Sequence, residues 1–287
     1  MPTWAILYNP TSGRFRSDKL EVVRRALDEE GIDSVILGSE GPGHLVDLAR
    51  DLEGVDRVAV YGGDGSLREV AKGLLGRDMP LAFLPGGSGN STAREMGLPL
   101  DPAQAAKALV RGPVKQIRPG HLDGELFMNM AGVGFDGLAI HLLTTGMKGR
   151  LGPMSYILTG FRCLLHRHPS MRVETPSGTR SAIWAVGART RHYAGILSIH
   201  PRANLLAPKL ALTAVNGWML LPFGIGRLLL RIPVRGPGLA FEEHDSFHIV
   251  ANDPVHAHVD GDYLRQDTTF ELGLMEQTLP LCFPSGG

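Results

Sequence analysis

The chain contains 287 residues, of which 43% are hydrophobic and 20% charged, with 37 glycines and 20 prolines. This length leaves room for about two domains, and the composition excludes a disordered or collagen-like protein. The two cysteines, Cys163 and Cys282, are too few for a disulfide framework and lack the spacing of a zinc site. We therefore expect a globular protein of a reducing, cytoplasmic compartment.

The formal net charge is zero, but the charges are unevenly distributed along the chain. Between Gly137 and Phe241 there are thirteen Lys and Arg residues and one acidic residue, Glu174, so this basic segment carries +12 and the remainder −12. The segment could contact an anionic membrane or could be an ordinary solvated surface. Nucleic-acid binding is less favoured, because aromatic residues are not interleaved with the basic ones.

The N-terminus and the most apolar segment both argue against membrane insertion. The first ten residues lack the basic region of a secretion signal. The segment from Trp218 to Ile232 is interrupted by Pro222 and Arg227, so it falls short of the roughly 20 apolar residues of a membrane span. We expect a soluble protein, with peripheral membrane contact and homodimer formation left open.

Residues 3–110 alternate between short apolar runs and segments of helical period. Strands are predicted over Thr3–Pro10, Asp33–Leu37, Arg57–Tyr61 and Met79–Leu84, each followed by a helix. The first helix is predicted to be capped by Ser17 and to end at Gly31, and Asp101-Pro102 is predicted to start a later one. This alternation predicts a parallel sheet covered by helices.

Beyond residue 114 the pattern changes to short strand-like runs separated by turn residues, with helices predicted over Asp136–Leu143, Ser155–His166 and Ile225–Leu230. The predicted fold class is therefore α/β + β. The predicted domains are residues 1–115, an α/β domain, and residues 116–287, a mainly β domain whose last segment could return to the first domain.

Three glycine-rich loops follow predicted strands of the first domain. In a parallel sheet, ligands bind at the carboxyl ends of the strands, and glycine lets backbone N–H groups approach phosphate oxygens. Asp64 adds a carboxylate that suits Mg²⁺ or a substrate hydroxyl. Neither a P-loop nor a Rossmann fingerprint is present, and a single glycine-rich loop of this kind is also explained by steric requirements of the turn alone. The loops are Asn9-Pro10-Thr11-Ser12-Gly13, Gly62-Gly63-Asp64-Gly65-Ser66 and Gly86-Gly87-Ser88-Gly89-Asn90-Ser91.

Together with Glu69-Val70, Ala93-Arg94 and the motif Gly132-Val-Gly-Phe-Asp136, these loops resemble the diacylglycerol kinase catalytic-domain family. That family includes bacterial soluble lipid kinases and sphingosine kinases, and the similarity runs from about residue 4 to the C-terminus. The resemblance implies a nucleotide-binding α/β domain, a sandwich-like β domain, and a lipid cleft between them. It also implies ATP and Mg²⁺ as cofactors, a lipid substrate, and nucleotide contacts from Asn9–Gly13, Gly62–Ser66, Glu69 and Gly87–Asn90, with Asp64 at the metal.

A second carboxylate motif, Asp260-Gly261-Asp262, lies near the C-terminus. Taken alone, Asp-Gly predicts a tight hairpin turn. Family members carry Asp-Gly-Glu here, with the Glu as the base that accepts the lipid hydroxyl proton. By position the resemblance assigns that role to Asp262, with Asp260 in support. Because Asp is one methylene shorter, it would act from closer in or through a water.

Several residues depart from the family pattern. Ser66 and Ser88 stand where Thr is usual and keep the hydroxyl, and Ser91 stands where many diacylglycerol kinases have Asp. Ala207-Pro208 and Ala211 replace an Asp-Gly pair and a further acid, in a stretch that holds a structural Mg²⁺ in bacterial relatives. We therefore predict that this structural site is lost.

His256, His258, Asp260 and Asp262 alternate and would share one face of a continuous strand. Structural histidines are favoured over a metal site, because no further ligand can be named at a recognisable spacing. The favoured function is an ATP-dependent lipid kinase. The alternatives are a kinase of a soluble metabolite, of the NAD kinase type, and a non-catalytic relative that binds a lipid or nucleotide.

Overall fold

The computed structural model describes residues 1–13, 15–145, 162–163, 166, 168–193, 197–217 and 238–285. The chain divides into two compact units, one formed by Met1–Pro119 with Glu276–Gly287 and the other by Gly120–Met275. The predicted helix over Ile225–Leu230 and the apolar segment from Trp218 to Ile232 lie outside the described residues. Most of the predicted helix over Ser155–His166 does so as well.

The first unit is an α/β structure. Its strands are β1 (Thr3–Tyr8), β2 (Asp33–Gly38), β3 (Arg57–Gly62), β4 (Leu81–Pro85), β5 (Val114–Ile117) and, from the end of the chain, β18 (Leu279–Cys282). Its helices are α1 (Ser17–Asp28), α2 (His44–Asp51), α3 (Asp64–Leu74), α4 (Ser91–Met96) and α5 (Pro102–Val110). The described strands form one sheet in the order β2-β1-β3-β4-β18-β5, parallel except for β5.

Consecutive residues are buried along the central strands of this sheet. Trp4–Leu7 in β1, Val58–Gly62 in β3 and all of β4 are buried without alternation, so both faces of the sheet are covered. Helix α1 packs with α5, and α2 packs with α3. The predicted parallel α/β architecture is therefore confirmed.

Two helix boundaries differ from prediction. Helix α3 begins at Asp64, so the second half of the glycine-rich loop after β3 forms the first helical turn. Helix α1 has Arg16, not Ser17, at its N-cap, without a side-chain capping bond. The Arg16 guanidinium instead pairs with Asp18 in the first turn. Gly31 follows α1 with a φ of 75°, a left-handed conformation that suits glycine.

The second unit is mainly β. Its strands are β6 (Gly120–Leu122), β7 (Glu125–Phe127), β8 (Met130–Gly134), β9 (Met171–Thr175), β10 (Gly178–Ala182), β11 (Trp184–Ala188), β12 (His192–Tyr193), β13 (Leu197–Ser198), β14 (Leu210–Val215), β15 (Leu239–His244), β16 (Ser246–Val259) and β17 (Asp262–Leu274). Helix α6 (Phe135–Thr145) follows β8.

Ten of these described strands form one sheet, whose main path is β15-β14-β11-β8-β16-β17-β6-β7, with β9 joined to β16 and β10 to β9. Every pairing described within it is antiparallel. Phe127, Val173, Phe247 and Leu272 are among its buried core residues, and a second buried cluster includes Phe135 of α6. The predicted α/β + β fold class is confirmed.

Both cysteines are buried free thiols. Burial raises the pKa of Cys163 to about 12 and that of Cys282 to about 11, so both stay protonated and unreactive at neutral pH. Within the described parts of the chain, none of the helices combines the length and the hydropathy that a bilayer crossing requires.

Candidate functional site

The three glycine-rich segments of the first unit come together at the carboxyl ends of β1, β3 and β4. The Gly86 N–H donates to the Gly62 carbonyl at 2.7 Å, which joins the turns after β4 and β3. The Ser12 and Ser66 hydroxyl oxygens are 3.4 Å apart, which joins the turn after β1 to the start of α3. The predicted loops therefore form one continuous surface of backbone and hydroxyl groups.

Close packing explains two of the glycines in this cluster. A Cβ on Gly87 would lie 2.5 Å from the Gly63 Cα, and a Cβ on Gly62 would lie 2.5 Å from the Ser66 Oγ. By contrast, none of the described atoms would lie within 4 Å of a Cβ on Gly13 or Gly65. Close packing therefore explains Gly62 and Gly87 but not Gly13 and Gly65. These two are exposed, so a ligand can approach their backbone.

The Asp64 carboxylate links the turn after β3 to the start of α4. Its Oδ2 accepts the Ser91 N–H at 2.9 Å, and its Oδ1 accepts the Thr92 N–H at 3.0 Å. Carboxylate oxygens are also the kind of ligand that Mg²⁺ prefers. Among the described residues there is no group of three His, Cys, Asp or Glu side chains arranged to hold a metal. This donor set fits a Mg²⁺ that arrives with nucleotide phosphates, since such sites use only one or two protein carboxylates.

Asn90 fixes the shape of the turn after β4. It has a φ of 50°, is 4% exposed, and exchanges two hydrogen bonds with Gly87: its Oδ1 accepts the Gly87 N–H and its Nδ2 donates to the Gly87 carbonyl, both at 2.9 Å. The Asn90 side chain therefore serves to hold the backbone of this turn, whereas Ser88, between Gly87 and Asn90, is exposed.

The remaining predicted nucleotide contacts lie in the turn after β1 and on helix α3. The Asn9 Oδ1 accepts both the N–H and the hydroxyl of Thr11, at 2.9 and 2.7 Å, which shapes the turn after β1. Pro10 is exposed in that turn, and Glu69 is half-buried on α3.

In the second unit, Asp260 and Gly261 form the tight turn between β16 and β17. Their φ values of 49° and 87° are those of a two-residue hairpin turn, and Val259 pairs with Asp262 across it. The Asp260 carboxylate accepts three successive backbone N–H groups at 2.8 to 2.9 Å, those of Met128, Asn129 and Met130. Asp262 begins β17 and is exposed.

The alternation from His256 to Asp262 does not continue on one strand, because β16 ends at Val259 after a bulge between Ala257 and His258. The two histidines contact α6, whereas Asp260 lies in the turn. The His256 Nδ1 is 3.1 Å from the Tyr263 hydroxyl, and its ring stacks on His141 at 4.6 Å. Burial, and then the neighbouring His141, lowers the pKa of His256, so its ring is neutral at pH 7.

The structure also pairs two residues that the sequence does not bring together. The His258 Nε2 lies 2.7 Å from the Asp136 Oδ2, and the two residues are 2% and 0% exposed. The Gly261 N–H donates to the His258 Nδ1 at 3.3 Å, so the ring proton belongs on Nε2 and points to Asp136. The pair thereby holds the glycine of the Asp260–Gly261 turn.

Gly132 of the Gly132–Asp136 motif and Gly137, which directly follows the motif, make this pair possible. A Cβ on Gly132 would lie 2.2 Å from the Asp136 Oδ2, and a Cβ on Gly137 would lie 2.1 Å from the His256 carbonyl oxygen. These glycines let α6 approach β16 closely. In the sequence this motif is part of the family resemblance, and in the structure its Gly132 leaves room for the Asp136 carboxylate.

Comparison with known proteins agrees with the motifs. The model of the family described as "Diacylglycerol kinase catalytic domain" matches residues 3–122. The chain is 31% identical to a diacylglycerol kinase of Bacillus subtilis over 174 residues, which are 58% of this chain and 56% of that protein. It is 32% identical to a diacylglycerol kinase of Mycobacterium tuberculosis over 213 residues, 69% of this chain and 68% of that protein.

The matches to the first curated relatives span between a third and slightly more than half of those proteins' length. Among solved structures, a crystal structure of a diacylglycerol kinase from Bacillus anthracis matches 98% of this chain and 96% of its own, with a TM-score of 0.76 and 19% identity, which shows a common fold. The resemblance seen in the motifs is confirmed: this chain belongs to the diacylglycerol kinase family.

Proposed function

We propose that this protein is an ATP- and Mg²⁺-dependent lipid kinase, which transfers the γ-phosphoryl group to a hydroxyl of a diacylglycerol, a sphingoid base or a similar lipid. The observation that carries the proposal is the convergence of three glycine-rich turns at the carboxyl ends of β1, β3 and β4. Such an edge of a parallel sheet binds phosphates through backbone N–H groups and helix N-termini.

In this proposal the first unit binds the nucleotide. The open backbone at Gly13 and Gly65 and the hydroxyls of Ser12 and Ser66 donate to phosphate oxygens. Asp64 lies in the same cluster, where its charge would repel the phosphates unless a cation stood between them. Mg²⁺ held by Asp64 would supply that neutralisation of phosphate charge.

The second unit supplies the base. The oxygen of the lipid hydroxyl attacks the γ-phosphorus and forms a new P–O bond, the bond to the bridging oxygen of ADP breaks, and the hydroxyl proton passes to a carboxylate. Asp262 is exposed and suits this role, whereas Asp260 uses its carboxylate to accept three backbone N–H groups. Asp260 therefore positions the turn that presents Asp262.

A transfer assay with γ-labelled ATP tests the proposal against its alternatives. The purified protein is incubated with Mg²⁺ and either a panel of lipids with free hydroxyls or NAD, with and without excess EDTA. Label in a lipid, lost with EDTA, is the expected result. Label in NADP would replace the proposal with a soluble-metabolite kinase. No transfer to any acceptor, from protein that still binds ATP, would indicate a non-catalytic relative.

A further inference from the structure

A buried arginine collects the carbonyl oxygens of one loop of the second unit. Arg189 follows β11 and is 1% exposed. Its Nη1 donates to the carbonyls of Ala207 and Lys209 at 2.9 and 3.0 Å, and its Nη2 donates to the carbonyl of Leu205. Three alternate carbonyls of residues 205–209 thus converge on a single guanidinium.

Convergent carbonyl oxygens are the usual surroundings of a hard divalent cation, but the residues here do not fit one. Bacterial relatives are expected to hold a structural Mg²⁺ with acidic residues at the positions of Ala207 and Ala211, whose side chains offer no oxygen in this chain. Mg²⁺ requires nearly octahedral oxygen coordination. The available carbonyls already accept from a guanidinium, whose positive charge would repel a second cation.

We propose that Arg189 is a built-in cation that takes the place of a structural divalent metal in the second unit. A guanidinium carries its charge at every accessible pH and presents five N–H donors in a rigid plane, so it can hold several carbonyls at once. The loop of residues 205–209 then folds without any bound metal, and its stability does not depend on the Mg²⁺ concentration.

The same residue connects this loop to the hairpin turn at Asp260. The Arg189 N–H donates to the Asn129 carbonyl at 2.7 Å, and the Asn129 N–H donates to the Asp260 Oδ1 at 2.8 Å. The Thr190 hydroxyl lies 3.2 Å from the Asn129 side-chain oxygen. Arg189 therefore bonds to the loop of residues 205–209 through its guanidinium and to the contacts that lead to the turn before Asp262 through its backbone N–H.

The first test uses the wild-type protein without nucleotide. Its metal content is measured after purification, and its thermal unfolding is followed in EDTA and in millimolar MgCl₂ or CaCl₂. We expect far less than one equivalent of divalent metal and midpoints that agree within about 1 °C. One equivalent of bound metal, or a midpoint several degrees lower in EDTA and restored by Mg²⁺, would overturn the proposal.

The second test compares Arg189→Met, which keeps the volume but removes the charge, with Arg189→Lys, which keeps the charge. Because buried carbonyls lose their donors, we expect Arg189→Met to lower the midpoint by about 5 to 10 °C and Arg189→Lys to lower it by less. Amide exchange of residues 203–210 should be faster in Arg189→Met than in the wild type.

The matched control is Arg172→Ala, which removes an exposed arginine of β9 that lies 3.8 Å from Glu174. Its midpoint should stay within about 1 °C of the wild type. A midpoint for Arg189→Met equal to or above that of Arg189→Lys would refute the cation role. If Arg189→Met does not fold, the metal measurements on the wild type decide alone.

Discussion

Asp260 shows how one side chain can define the shape of a turn. Its own N–H donates to the Met130 carbonyl at 2.8 Å while its carboxylate accepts the N–H groups of residues 128–130, so the turn and this segment are bound in both directions. A left-handed φ of 49° is tolerated best by Asn and Asp among residues with a side chain. The positive φ and the three backbone N–H donors are therefore sufficient to explain a short carboxylate at this position.

Asp260→Ala is expected to destabilise the protein by about 2 to 4 kcal/mol, because it removes the acceptor of three backbone N–H groups and puts alanine at a positive φ. Asp260→Asn should lose less stability than Asp260→Ala, since the amide oxygen can still accept hydrogen bonds from the backbone N–H groups. The measurement is urea unfolding of both variants beside Glu271→Gln, a substitution at an exposed residue of β17. Equal stability of Asp260→Ala and the control would contradict this role.

For the Asp136–His258 pair we predict an interaction energy between the two side chains. Removing either partner leaves the other buried without its hydrogen bond, whereas removing both does not. A double-mutant cycle of Asp136→Ala and His258→Ala should therefore give a coupling of about 1 to 3 kcal/mol in the free energy of unfolding. Additive losses, with no coupling, would show that the 2.7 Å contact contributes nothing.

At the scale of elements, the sequence predicts the order of strands and helices well and some of their ends poorly. The unbroken apolar runs of β1, β3 and β4 determine buried parallel strands. The sequence does not predict the start of α3, because Gly63 and Gly65 suggest a loop, whereas in the structure the Leu67 N–H donates to the Gly63 carbonyl and a helix begins there. Glycine propensity is a weak signal that tertiary packing overrides.

Long-range partners were the part of the site that could not be predicted. The sequence places His258 near the hairpin turn, but Asp136 lies 122 residues away and meets it only through the packing of α6 on β16. Likewise, Arg189 counts as one more charge of the basic segment until its carbonyl partners are seen. Local sequence patterns predict which face of a strand or helix is buried and where turns occur. Which buried faces pack against each other is determined only by the folded structure.

Helix α5 offers a prediction at this scale. The Asp101 carboxylate caps the helix by accepting the N–H groups of Ala103 and Gln104, and it also accepts from Lys19 of α1 at 2.6 Å. The hydrogen bond from Lys19 is the largest cause that lowers the pKa of Asp101 below its usual 3.8. Stability from this group is therefore present above pH 3.8 and is lost as the pH falls through the lowered pKa.

Asp101→Ala should cost about 1 to 2 kcal/mol at pH 7, the usual value of a lost N-cap. Asp101→Asn keeps an acceptor for the cap but loses the ion pair with Lys19. Its free energy of unfolding should therefore fall by less than that of Asp101→Ala, and the difference from the wild type should be smaller still in high salt. The control is Asp28→Ala on α1, which removes a surface ion pair with Arg24 worth at most about 0.5 kcal/mol. Equal losses in Asp101→Ala and Asp28→Ala would contradict the capping role.

At the scale of the whole molecule, neighbouring acids offset part of the positive charge of the basic segment. Arg180 pairs with Glu242 and Arg202 with Glu243, two acids that directly follow the segment, and Arg189 is buried. Other basic residues of the segment, including Lys148, Arg227 and Arg231, lie outside the described residues. Contact with an anionic membrane through residues 137–241 stays a prediction, as does a homodimer.

The pH dependence of stability follows from three histidines of the second unit. Burial is the first cause that lowers the pKa of His168, His200 and His256 below the usual 6.5. The unfolded chain then binds more protons than the folded one, so stability is complete above pH 6.5 and declines as the pH falls below it.

The free energy of unfolding in urea should be lower at pH 5.5 than at pH 7.5. The difference should be smaller in His256→Asn, because this variant has one fewer histidine whose protonation is opposed by folding. The carboxylates whose pKa is lowered, such as Asp101 and Glu242, titrate below this window and do not oppose it. Stability that is constant or increases on acidification would contradict the burial of neutral histidines.

The proposal that Asp262 accepts the proton of a lipid hydroxyl is tested most directly by Asp262→Asn. ATP binding and turnover of the lipid that the wild type phosphorylates are measured on the same preparation, with Glu271→Gln as the control. We predict unchanged affinity for ATP and a turnover lower by a factor of about 10² to 10⁴, the usual contribution of a general base. Full turnover by Asp262→Asn would contradict the proposed mechanism.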